Sequence, residues 1–194
     1  GRFVDARIHL ERALMIARKI GAGNFEAKSL YLLGQLCAGQ ENMDEARYHV
    51  KEAMDVVRKV GMTFIGPTVL AVNAALLADP AERWAALREA EKILDAGCVA
   101  HNQFWFAQSA IDQNLAVGEW DEVDRYARRL ENYIREEPLA WPEFVIARGR
   151  ALASWGRGRR EPDLAAELKR LRDTAMEAGL VRAAAALERS AVDS

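Results

Sequence analysis

The sequence predicts an all-α fold, a right-handed α-solenoid of about five antiparallel helical hairpins with a C-terminal capping helix. Two observations carry that expectation. The first is an internal copy. Ala6, Arg7, His9, Ala13, Arg18, Lys19 and Gly21 recur as Ala46, Arg47, His49, Ala53, Arg58, Lys59 and Gly61, each 40 residues later. A fixed period of this length marks stacked repeats, in which each unit buries its apolar face against its neighbours. The second is apolar spacing. Ala6, Leu10, Ala13, Ala17 and Ile20 recur at steps of four and three, as do Ala46, Val50, Ala53, Val57 and Val60. That spacing puts each set on one face of a helix.

The elements follow in order. Residues 1–21 give half a hairpin, a second helix preceded by its turn. The next hairpin spans 24–61. Leu30, Leu33 and Cys37 form the apolar stripe of its first helix, and Gly34 offers a point of close approach. Gly39 to Met43 makes the turn, and Asp44 suits the positive end of the following helix. The hairpin at 67–96 breaks at Ala78-Asp79-Pro80, with Ala86, Ala90 and Ile93 on the inner face of its second helix. The hairpin at 102–136 turns at Gly118 and continues the stripe with Val123, Ala127 and Leu130. The last, at 141–178, turns at the basic segment Gly156–Pro162 and places Leu164, Leu168 and Leu171 inward. Residues 180–192 cap the end, and the whole of 1–194 is expected to be one repeat domain. The opening Gly-Arg-Phe falls at the turn before a second helix, so the chain is expected to be a piece of a longer protein.

Composition narrows the function. Of 194 residues, 51% are hydrophobic and 29% charged, which suits a packed soluble domain. A formal charge of −2 gives no general attraction to nucleic acid or anionic lipid. Cys37 and Cys98 are too few and too distant for a disulfide framework or a zinc site, so a cytoplasmic setting is expected. No stretch is long and apolar enough to span a bilayer. There is no phosphate-binding loop, no H-E-x-x-H and no cysteine pair at metal spacing. Catalytic residues, cofactor ligands and metal ligands are therefore all expected to be none.

Gly1, Phe3, Ala6, Leu10 and Ala13 follow a turn-plus-helix pattern, and Gly118, Trp120, Val123, Ala127 and Leu130 are a looser copy. This pattern resembles the second helix of a tetratricopeptide repeat, whose usual period of 34 residues is shorter. The first-helix tryptophan of that family is replaced by Leu30. Three further segments, Leu94–Phe106, Trp120–Tyr126 and Trp141–Ala151, resemble the C-terminal region of multidomain bacterial class III adenylate/guanylate cyclases. In that family a cyclase domain and an ATPase domain precede a helical repeat region. The cyclase signature itself is absent here. The resemblance implies a non-catalytic, regulatory or protein-interaction module of a cyclic-nucleotide signalling protein. The alternative is the ligand-sensing repeat domain of an ATP-dependent bacterial transcription activator.

Candidate binding residues follow from helical faces. In stacked hairpins of this family the first helices line a groove. Lys28, Tyr31 and Gln35 on one such helix, and Trp105, Gln108 and Asp112 on another, form matching polar-aromatic rows suited to a protein or peptide partner, or to upstream domains of the same chain. His101 and Asn102 offer a polar pocket beneath Phe104, Trp105 and Phe106. The competing reading makes Gly97 and Asn102 helix punctuation. Arg148, Arg150, Arg157, Arg159 and Arg160 make a basic patch for an acidic partner, or else a solvated face. Nucleic acid is disfavoured, because few aromatics interleave with these arginines. His9 and His49 occupy equivalent repeat positions and read as surface or half-buried residues.

Overall fold

The computed structural model describes residues 2–192, so Gly1 of the repeat pattern and the last two residues of the expected domain lie outside the described residues. The fold is all-α, built from ten helices in antiparallel hairpins with no strand among the described residues. The chain divides into two compact units, Gly1–Ser109 and Ala110–Ser194.

The first unit contains α1 (Phe3–Lys19), α2 (Gly23–Gly39), α3 (Met43–Val60), α4 (Gly66–Leu76) and α5 (Pro80–Ala96), and the first half of α6 (His101–Val117). Sequence sets the ends of these helices. Asn42 accepts from the Glu45 amide at the start of α3, where Asp44 and Glu45 meet the positive end of the helix. Asp79 caps α5 through the Ala81 amide at 2.9 Å, with Pro80 at the first helical position. Gly97 closes α5 at φ +103°, a conformation in which a side chain would be strained.

Helix α2 packs against α1 and α3, and α3 in turn packs against α4. The contact between α2 and α3 depends on Gly34, because a Cβ there would run into the Val50 side chain and the Ala46 carbonyl. The predicted stripe of α3 is sealed except at its end: Ala46, Val50, Ala53 and Val57 are each 0% exposed, whereas Val60 is 48% exposed. Burying each valine side chain is worth about 1.5–3 kcal/mol. The equivalent stripe of α1 behaves differently. Leu10 is half-buried, Ala13 is exposed and Ile20 is 69% exposed, because α1 has a packed neighbour on one side only. In α5 the buried set is Ala86, Leu87, Ala90 and Leu94, with Ile93 only half-buried.

The second unit contains the rest of α6, then α7 (Trp120–Tyr133), α8 (Ala140–Gly156), α9 (Pro162–Glu177) and α10 (Val181–Val192). Helix α8 packs against α7, α9 and α10, and α9 pairs with α10. Phe144, Ala151, Trp155, Leu168, Leu171, Ala175, Ala184 and Leu187 form its core. Gly149 lets α8 close on α6 and α7, since a Cβ there would sit 2.9 Å from Ile111 Cγ2 and 3.5 Å from Val123 Cγ1. Val123, Tyr126, Ala127 and Leu130 are the buried face of α7.

Candidate functional site

Within the first unit an aromatic face forms around the turn that leads into α4. Phe25, on the first turn of α2, meets Phe64 edge to face at 6.0 Å. Phe64 in turn meets His101, at the start of α6, at 5.7 Å. Trp105 stands one helical turn beyond His101 on α6 and is 45% exposed, while Phe25 is 56% exposed. Lys28, three residues after Phe25, is exposed, and its charge reaches His101. Burial first, then this lysine, push the His101 pKa below its usual value, against a hydrogen bond to the Phe64 backbone that works the other way. His101 is therefore a neutral ring at pH 7, and its Nε2 is buried without a hydrogen-bond partner. The result is a mainly apolar, partly exposed surface with one unshielded cation at its margin.

Asn102 ties together the segments beneath this face. Its Nδ2 donates to the Phe64 carbonyl at 2.9 Å and to the Val99 carbonyl at 3.0 Å, while its Oδ1 accepts from the Thr68 hydroxyl at 2.9 Å. The Val99 amide also donates to the Thr63 carbonyl at 3.1 Å. Three of these contacts pin α4 and the turn before it to the start of α6, and the bond to Val99 closes the turn before α6 on itself. Asn102 is 0% exposed, so it is a structural clamp and not a pocket ligand, which corrects the expectation that paired it with His101. The aromatic triplet splits as its helical angles require: Phe106 is fully buried, Phe104 half-buried and Trp105 exposed.

The two expected groove rows fare unequally. Lys28 and Gln35 are exposed, but Tyr31 is only 5% exposed and its hydroxyl pKa is pushed up to about 12 by burial. The reason is angular. At about 100° per residue, Tyr31 lies roughly 60° from Lys28 toward Leu30 and Gly34, on the packed side of α2. Phe25 lies about 60° the other way, toward solvent. On α6, Gln108 and Asp112 are half-buried, and Asp112 is held in an ion pair by Arg148 of α8.

Four of the five arginines of the expected basic patch are paired with carboxylates. Arg148 is buried against Asp112. Arg150 forks onto Glu131 at 2.8 and 2.7 Å, and the pairing holds the Glu131 carboxyl below the usual carboxylate range. Arg157 bridges Asp121 and Asp124 at 2.8 Å each, and Arg159 meets Glu161 at 3.0 Å. Arg160 lies 3.6 Å over the Trp155 ring and donates to the Trp155 carbonyl. These arginines fasten α7, α8 and the turn before α9, although Arg157, Arg159 and Arg160 remain exposed. His9 is exposed and His49 half-buried.

The tetratricopeptide repeat family model matches residues 1–59, covering α1 to α3. Residues 1–59 are thus similar to tetratricopeptide repeats. No curated protein and no solved structure matches the chain. Tetratricopeptide repeats generally bind protein partners and are typically non-catalytic. Their stacked helices present extended surfaces that suit this role. No helix is long and apolar enough to cross a membrane among the described residues. Within the matched residues lie Phe25 and Lys28, two of the five residues that define the aromatic face. Sequence reasoning missed Phe25 and Phe64. Phe25 shares the outer face of α2 with Lys28 and was legible from that spacing, whereas Phe64 sits in an irregular turn that carries no period.

Proposed function

We propose that this chain is a non-catalytic interaction module that captures a peptide on the face formed by Phe25, Lys28, Phe64, His101 and Trp105. The partly exposed aromatic row beside a lone cation carries this reading. Aromatic side chains give large contact area at low entropic cost, and they dominate interface energetics. Lys28 selects a ligand with a carboxylate near its apolar anchor, since His101 stays neutral at pH 7. The ligand is a separate protein or an upstream segment of the same chain.

The parent is proposed to be a multidomain bacterial class III adenylate/guanylate cyclase, with this segment as its regulatory region. The resemblance of Leu94–Phe106, Trp120–Tyr126 and Trp141–Ala151 to that family supports it. A cytoplasmic location goes with the same reading. Occupancy of the face would bias the attached domains only to the extent that the ligand binds one of their states better.

Two experiments test these statements separately. Displayed peptide libraries are selected on the purified chain, and the selected peptides are measured against Lys28→Glu and Trp105→Ala. Selected peptides carry an acidic residue beside an aromatic or aliphatic anchor, and each substitution weakens binding at least about tenfold, the loss of a hot-spot contact. Unchanged affinity in both variants removes the face from consideration. Cyclic-nucleotide production by the parent is then compared with and without residues 1–194. A changed rate supports regulation. A parent that makes no cyclic nucleotide removes the cyclase context and leaves the transcription-activator sensor as the reading to pursue.

A further inference from the structure

Away from the aromatic face, a second cluster joins α2 to α3. Cys37, in the last turn of α2, is 0% exposed. Glu45 and His49 stand four residues apart on α3, so they share one face of that helix. The Cys37 sulfur, a Glu45 carboxylate oxygen and a His49 ring nitrogen all lie within 4.8 Å of one another. Thiolate, imidazole and carboxylate together are a donor set of the zinc class. Zinc bonds of about 2.0–2.3 Å imply ligand-to-ligand edges of roughly 3.3–3.8 Å, which His49 Nε2 and Glu45 Oε1 already meet at 3.6 Å, so the cluster needs to close by about 1 Å at most. Glu45 and His49 are half-buried and can do so by side-chain rotation alone.

Two further observations point to a cation at this place. His49 Nδ1 is buried without a hydrogen-bond partner, and Nε2 approaches Glu45 Oε1 only to 3.6 Å. The ring is thus packed into the cluster without being consumed by it. The second observation is that a cation already bridges two of the three groups. The Arg7 guanidinium donates to Glu45 Oε1 at 2.7 Å, to Glu45 Oε2 at 3.3 Å and to Cys37 Sγ at 3.2 Å. Arg7 has another carboxylate within reach, Glu11, at 3.7 Å on its own helix.

We propose that Cys37, Glu45 and His49 form a site for a divalent transition metal of the zinc class, and that Arg7 is the cation the metal displaces. Binding forms a metal–sulfur bond and releases the Cys37 thiol proton to solvent, with no change of oxidation state. Arg7 swings toward Glu11. The tie between α1 and α3 is exchanged for one between α2 and α3, so metal loading tightens the second hairpin and loosens the helix before it. This site and the aromatic face share no residue, and either stands without the other.

The test is a cobalt(II) titration of the whole 194-residue chain, kept reduced in a buffer that does not bind metal. A thiolate-to-cobalt charge-transfer band in the near ultraviolet appears, saturates at one equivalent and is reversed by zinc. Cys98→Ser keeps the band and Cys37→Ser loses it. His49→Ala weakens cobalt binding at least about tenfold, as loss of a ligand exceeds loss of an outer partner. Arg7→Gln tightens it, because the competing cation is gone. Absence of the band in the native chain overturns the site, as does a band that survives Cys37→Ser or an affinity unmoved by His49→Ala. Weaker binding in Arg7→Gln overturns the displacement.

Discussion

Replacing Asn102 with alanine tests whether one side chain holds the aromatic face together. The side chain is fully buried and makes three hydrogen bonds, to the Thr68 hydroxyl and to the Phe64 and Val99 carbonyls. At about 1 kcal/mol net for each, the loss has a floor of about 3 kcal/mol, and a buried polar group left unpaired costs ~1–3 kcal/mol more. Val99 is 41% exposed, so water can reach its carbonyl and relieve part of that penalty. The expected destabilisation is about 3–5 kcal/mol. Urea unfolding followed by far-ultraviolet circular dichroism measures it. Thr68→Val removes one of the three bonds and should cost about 1–2 kcal/mol. The two substitutions share a bond, so the double variant should fall short of their sum by ~0.5–3 kcal/mol. A loss below about 1 kcal/mol for Asn102→Ala, or strict additivity with Thr68→Val, would refute the clamp.

Three other outcomes follow from the same structure. Gly34→Ala forces a methyl into the Val50 side chain and should lower stability by about 1–3 kcal/mol despite the gain in helix propensity, read as a fall in melting temperature. His101 is held neutral in the fold, so the unfolded chain takes up that proton first; stability is intact above about pH 6.5 and falls as the pH drops from there toward the lower folded value. His101→Gln should flatten that part of the profile, and an unaltered slope would remove the assignment. Arg148→Ala strands a buried site and should cost about 2–3 kcal/mol, less than a fully buried pair because Asp112 is half-exposed. Arg157→Ala, whose partners lie at the surface, should cost under about 1 kcal/mol by the same denaturation.

The period of 40 residues and the four-and-three spacing were enough to place the helices, since both report on which side chains share a face. Gly34 was legible for the same reason: a glycine within an apolar stripe implies a backbone that comes close. Burial along a stripe was less legible, because it depends on what lies beyond it. Ala13 and Ala53 are the same residue in the same repeat position, yet Ala13 is exposed and Ala53 is 0% exposed. The failures at the sites share one cause. A charge run can be read only against residues nearby in sequence, but Arg150 and Arg157 find their acids 19 to 36 residues upstream on α7. Spacing alone assigns Tyr31 to a face, and about 60° of rotation suffices to bury its ring. The Cys37, Glu45 and His49 cluster shows the same limit from the other side. Two of its members have a helical spacing that any scan would pass over, and the third comes from the preceding helix across a turn. Metal motifs are recognisable in sequence when their ligands sit on one short segment. In a repeat fold the ligands can instead be divided between neighbouring helices, and the stacking that sequence reveals as a period is what brings them together.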